Sequence, residues 1–206
     1  AVGKTKTSTR AGQFGPEIGF GKEMSKGGKG VYLIKFSASG MPLHHGWNAN
    51  KWLGGAPAKG RTNFYPGLNE SDTNKGRLYQ KMHKQFSAGI SALKAEGHTP
   101  NIRGFLWMQG EQDSKNQQSA SEYAANLKLL RNRISEDFKT PEIPMVFGQV
   151  LPYTQAHERF THRELIRSQM AAADSGSAKP QAIPRVTMVS TDEFPLHKDT
   201  VHYNAQ

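Results

Sequence analysis

Two short segments carry side chains that could do chemistry together. Residues 190–206 read STDEFPLHKDTVHYNAQ, and residues 105–113 read FLWMQGEQD. In the first, Asp199 stands three residues before His202. A carboxylate at that spacing can bond the Nδ1–H of an imidazole, hold its tautomer and stabilise the imidazolium it becomes. That pair is a candidate general base. The same pattern alone also fits a surface loop whose Asp caps a turn; its place after a final apolar strand favours the base. In the second segment, Gln109 ends an apolar run and could aim its amide at a developing oxyanion, with Gln112 as a fallback. Glu111 is expected to be partly buried and to orient the site as an acceptor. Gly40, ending the turn SASG at 37–40, could offer a backbone N–H with no side chain in the way. Donors of this kind contribute about 2.7–4 kcal/mol each to a transition state. Trp107 and Met108 read as core. A nucleophile is harder to find. Ser37 and Ser39 lie near the expected site, yet neither has a strand–turn–helix setting.

Other constellations are weaker. His44-His45 resembles half a metal site, but no carboxylate or third histidine follows at ligand spacing, so no metal is expected. His157-Glu158 with His162 misses the H-E-x-x-H register by one residue, and a five-residue step does not stack two imidazoles on one helix face. The glycines of KGGKG at 26–30 precede a strand, so they do not form a phosphate loop.

The elements that must position these groups alternate. VYLIKFS (31–37), IRGFLWMQ (102–109), IPMVFGQV (143–150) and VTMVST (186–191) read as strands. Their near-continuous apolar character predicts burial on both faces. Phe14-Gly15-Pro16 suits a helix start, with Pro16 in the first turn. Leu78, Met82, Phe86, Ile90 and Leu93 make one apolar stripe, predicting a helix over 76–95. Tyr123, Leu127, Leu130, Ile134 and Phe138 make a second, with Ser119 and Glu122 in capping-box spacing and Pro141 as terminator. A third helix is expected from Thr161, capped by Glu164 and running through Leu165, Ile166 and Met170. Strands alternating with helices predict an α/β fold with a parallel sheet, whose ligands sit at the carboxyl ends of the strands. The polar stretch 40–75 is long for a connector, and such loops are usually functional. It holds Arg61, Trp47, Trp52 and Tyr65, candidate substrate contacts, although core packing fits the two tryptophans equally well.

Composition bounds the rest. The 206 residues suit a single domain. No apolar run approaches the roughly 20 residues that span a bilayer, and no membrane partner is expected. Cysteine is absent, which excludes disulfides, zinc–thiolate sites and a thiol nucleophile. The formal net charge is +10. The basic residues Lys4, Lys6, Arg10, Lys22, Lys26 and Lys29 are scattered among glycine and serine, without interleaved aromatics, so nucleic acid is not the expected partner. Attraction to an acidic polymer, or solubility alone, fits the charge better.

Together, GPEIGFGKEM (15–24), VYLIKFSASGMPL (31–43), WMQGEQD (107–113) and TDEFPLHKDTVHYNAQ (191–206) resemble, in order, the SGNH hydrolase superfamily. The branch is the sialic-acid-type acetylesterases grouped with carbohydrate esterase family 6. The resemblance implies a flavodoxin-like three-layer α/β/α sandwich and hydrolysis of O-acetyl esters on sugars without metal or cofactor. It implies His202 as the base, Asp199 as its orienter, and Gly40 and Gln109 as oxyanion donors. The family's serine lies in a Gly-Gln-Ser-Asn turn after a first strand, and this sequence has no such turn. The chain is therefore expected to be one esterase domain lacking its first strand and truncated at both ends, or completed by another chain. A non-catalytic glycan-binding protein of the same fold is the alternative. A glycan-directed esterase is expected to be secreted or periplasmic.

Overall fold

The computed structural model describes residues 15–28, 30–153 and 158–204. Lys4, Lys6, Arg10, Phe14, Lys29 and His157 lie outside the described residues. The chain divides into two compact units, 1–36 and 37–206. In the first, α1 (Glu17–Met24) begins directly after Pro16, as the sequence predicts, and buries none of its residues. Glu17 and Lys35 pair at 2.5 Å. The predicted strand at 31–37 is not formed. No strand is assigned there, and Val31, Tyr32 and Leu33 are exposed. Valine, tyrosine and isoleucine favour an extended chain, but a strand exists only where a neighbour completes its ladder.

The second unit holds the sheet. Strands β3 (Phe105–Trp107), β4 (Met145–Gly148) and β5 (Val186–Val189) are parallel, in the order β3-β4-β5. The register places Phe105, Met145 and Val186 in one row and Trp107, Phe147 and Met188 two rows on, facing the same side. Phe105, Trp107, Met145, Phe147 and Val186 are buried. The opposite face differs from expectation. Leu106, Met108, Val146 and Val189 keep 38–43% of their surface exposed. A continuous apolar run cannot tell one covered face from two, because it lacks the polar alternation that would mark the open side.

Helices cover the buried face. α2 (Arg77–Ala95) brings Phe86 to 6.3 Å from Phe105, ring to ring. α4 (Tyr123–Asp137) buries Tyr123, Leu127, Leu130 and Ile134, the predicted stripe, and packs on α5 (Arg163–Ala173). Tyr79 on α2 donates to Asp137 on α4 at 2.7 Å. Asp137 also takes Arg133, which is nearly fully buried, so that cation is paired.

The helix starts differ from the sequence reading. Asn116 caps the short α3 (Gln117–Ser121), its side-chain Oδ1 accepting from the Gln118 and Ser119 backbone N–H groups. Ser119 is buried and its hydroxyl donates to the Asp113 carbonyl at 2.6 Å, so it does not cap α4. The third helix starts after His162 with no side-chain cap; Glu164 pairs with Arg163 instead. Cap spacing shows what is possible locally, and other partners take both side chains: the Asp113 carbonyl for Ser119 and the adjacent Arg163 for Glu164.

The long 40–75 segment is a braced structure. It contains a small hairpin, β1 (Trp47–Asn48) with β2 (Lys51–Trp52), pairing Trp47 with Trp52. The Asn63 side chain donates to the Trp47 carbonyl at 2.7 Å and accepts from Tyr65 N–H at 3.1 Å. The segment then lies against the start of α2, where Gly76 donates to the Tyr65 carbonyl and Leu78 to the Asn63 carbonyl. A Cβ on Gly76 would collide with the Asn63 carbonyl oxygen and Oδ1, and would sit 2.8 Å from its carbonyl carbon. Because backbone stands in the way, Gly76→Ala should destabilise the protein by at least about 1–3 kcal/mol, the usual range for overpacking. Urea unfolding checks this; an unchanged midpoint would show that the segment yields freely.

Candidate active site

The organising group of the site is Asp113, fully buried just after the β3 loop. One carboxylate oxygen accepts Leu43 N–H at 2.8 Å and the Gln109 amide at 2.6 Å; the other accepts His44 N–H at 3.0 Å. Burial pushes its pKa up, against the pull of those donors. Asp113 thereby ties the 40–44 turn to the end of β3. Gln109 adds a second tie, donating to the Met41 carbonyl at 3.0 Å. Tyr123 closes the cluster, donating to the Gln109 carbonyl at 2.5 Å and accepting from Trp107 Nε1 at 3.2 Å.

This arrangement changes what Gln109 can do. Both hydrogens of its amide are committed, to Met41 and Asp113. A primary amide has only two, so Gln109 braces the loop and offers no spare donor to an oxyanion. Gln112 is also buried, and its Nε2 has no hydrogen-bond partner among the described residues. Gly40 lies in an exposed turn at φ +63°, a conformation that favours glycine. Its N–H makes no hydrogen bond among the described residues, and the space around its Cα is open.

Asp199 and His202 form the expected pair. Asp199 accepts His202 Nδ1 at 2.6 Å, and its other oxygen accepts the backbone N–H groups of Val201 and His202, each at 2.9 Å. The backbone N–H of His202 first, and then its ring, hold the Asp199 carboxyl well below the usual range. The imidazole is otherwise largely exposed. No serine hydroxyl bonds to it among the described residues. Its loop is anchored at the strand ends: Tyr203 donates to Thr191 at 2.7 Å, and Thr191 donates to the carbonyl of Gln149, directly after β4. Glu111 is half-buried and accepts Gly110 N–H at 3.1 Å. Burial raises its pKa, while the nearby charges of His202 and Lys115 oppose the rise.

Two expected substrate contacts are structural. Trp47 is 4% exposed, its Nε1 donating to Ser119 at 3.1 Å; a ring so enclosed has no face for a sugar. Arg61 donates to the carbonyls of His45 and Gly54, at 2.8 and 3.0 Å, and braces the hairpin. Loops need such donors wherever their carbonyls leave water.

Glu122, Asp113 and Asn63 are the residues sequence reasoning missed. Asp113 stood inside the WMQGEQD motif, and its acidity in an otherwise buried stretch was the available signal. Glu122 accepts His44 Nε2 at 2.8 Å, and His44, His45 and Glu122 bring ligand atoms within 4.8 Å of one another. That spacing suits a cation. The hydrogen bonding does not: His44 Nδ1 accepts Gly46 N–H at 2.8 Å, so the ring proton sits on Nε2. Coordination there would require an imidazolate or loss of the Gly46 bond.

His45 is different again. Its Nδ1 is buried without a hydrogen-bond partner among the described residues, and burial, reinforced by His44 and Arg61 against Glu122, lowers its pKa to about 4. A histidine with a depressed folded pKa favours folding fully above its unfolded value, about 6.5, and that contribution is lost as pH falls toward 4. Thermal melts of the wild type should therefore drop between those limits. His45→Gln should flatten that part of the profile; an unaltered profile would remove His45 as the cause.

A parallel α/β sheet with polar loops gathered beyond the carboxyl ends of its strands is the scaffold of this site. The family model for carbohydrate esterases of the sialic acid-specific acetylesterase type matches residues 2–206, and the chain belongs to that family. Carbohydrates are the substrates this family implies. A solved protein from Arabidopsis thaliana is similar at 20% identity and a TM-score of 0.49, over 63% of this chain and 46% of its own. The chain thus spans less than half the length of that structure. No curated protein matches it. Among the described residues, no helix is long and apolar enough to cross a membrane.

Proposed function

We propose that this protein hydrolyses O-acetyl esters on sugars by a Ser-His-Asp route, on a three-layer SGNH-type sandwich, as a single esterase domain acting outside the cytoplasm, secreted or periplasmic. The observation that carries the reading is the 2.6 Å bond between Asp199 and His202 Nδ1, in a chain of the carbohydrate esterase family. With Nδ1 so occupied, Nε2 faces outward as the proton acceptor. A serine hydroxyl attacks the acetyl carbonyl and gives its proton to His202. The tetrahedral oxyanion is met by the Gly40 N–H. His202 then protonates the departing sugar oxygen, and water releases acetate from the serine by the same steps in reverse. Gln112, whose amide nitrogen is uncommitted, is a better second donor than Gln109. Glu111 supports the imidazolium through its charge when ionised.

The test is hydrolysis of p-nitrophenyl acetate by the whole protein. Turnover above the buffer rate supports the reading. A folded protein without turnover would favour a glycan-binding role, to which the absence of a serine bonded to His202 among the described residues also points.

A further inference from the structure

The three tryptophans are not equivalent. Trp47 and Trp107 are buried in the core. Trp52, on β2, keeps part of its ring in solvent. It is held edge-on by Trp47, ring centroids 5.2 Å apart at 70°, and lies 5.1 Å from His44. Beside it opens a groove of about 390 Å³, lined by Trp52, Asn116, Gln117, Gln118 and Ser121.

The lining has a consistent chemistry. Apart from the indole it consists of three amides and one hydroxyl, with no cation or carboxylate. Amides and hydroxyls both donate and accept, as sugar hydroxyls do. Gln117 is exposed, and its side chain has no hydrogen bond among the described residues. Gln118 is held in place, donating to Glu122 at 3.0 Å, while Ser121 donates to the Gln118 carbonyl at 2.9 Å. An indole face with fixed polar groups at its edge suits a ring that is apolar on one side and hydroxylated around its rim. The absence of lining charge argues against phosphate or a carboxylate.

We propose that this groove is a carbohydrate subsite, in which a neutral pyranose of the glycan stacks on Trp52 and bonds Gln117 and Asn116. The assignment rests on the carbohydrate reading above and extends it to a particular surface. His44 and Glu122 connect the groove to the Asp113-braced loop, so the subsite shares its scaffold with the candidate active site.

The test is an NMR titration of the whole protein with lactose and with 3′-sialyllactose, following the three indole N–H resonances. Both glycans should move the Trp52 resonance saturably and leave those of Trp47 and Trp107 in place. Gln117→Ala, at an exposed position, should weaken binding about tenfold by the Trp52 shift, equivalent to about 1.4 kcal/mol, and Trp52→Ala, which removes that resonance, should weaken it as much by calorimetry. No saturable movement of Trp52 with either glycan overturns the proposal, as does movement with 3′-sialyllactose alone, which would assign the groove to the acidic sugar. The measurement needs no turnover. A protein that fails to hydrolyse p-nitrophenyl acetate while Trp52 still responds would sink the esterase reading and leave the subsite standing. Hydrolysis without a Trp52 response would do the opposite.

Discussion

His202→Ala should lower turnover of p-nitrophenyl acetate by about 10²–10⁴-fold, the contribution a positioned general acid–base makes. The fold should not change. Most of the His202 side chain is in solvent, and among the described residues its side chain bonds only to Asp199; exposed substitutions of this kind usually stay within about 0.5 kcal/mol. Asp199→Asn is the sharper companion. It keeps the shape but allows an amide hydrogen to face Nδ1, which favours the wrong tautomer and costs about 10⁴ in the serine protease precedent. Steady-state rates with matched melting curves decide the matter. Wild-type turnover in a folded His202→Ala protein would remove the base assignment.

Asp113→Ala should be the most damaging single change to the scaffold. Three donors, the N–H groups of Leu43 and His44 and the amide of Gln109, converge on that carboxylate in the interior. Removing it leaves all three without an acceptor. Each buried unsatisfied donor costs about 1–3 kcal/mol, so the expected loss is at least about 3 kcal/mol. For a chain of this size that is roughly a 6–12 °C fall in Tm. Asp113→Asn should fall between, because one amide oxygen can satisfy only part of the set. Any esterase activity should fall with it, since Gly40 rides on the turn that Asp113 holds. An Asp113→Ala protein within 1 kcal/mol of wild type would show that water replaces the carboxylate and that the turn does not depend on it.

Much of the scaffold was legible because its signals are periodic. The stripe from Leu78 to Leu93 became α2, and that from Tyr123 to Ile134 became α4, since a helix must turn its apolar residues to one side. The runs around Phe105, Met145 and Val186 became the three parallel strands. The 31–37 run carried an equally strong signal and formed none, because a strand needs a partner that composition cannot supply. The cap assignments of Ser119 and Glu164 failed for a related reason: Asp113 and Arg163 offered those side chains other partners.

By itself the sequence determined the pairing of Asp199 with His202. Their three-residue spacing lets one turn bring carboxylate and imidazole together, so nothing distant has a vote. Only the tertiary structure decided that Gln109 and Arg61 brace the loops around them, that Trp47 is core while Trp52 is open, and that Glu122 holds His44. Those outcomes depend on groups far apart in the chain, such as His44 and Asp113, separated by 69 residues. A buried donor takes whichever acceptor the packing brings to it, and packing is a property of the whole chain.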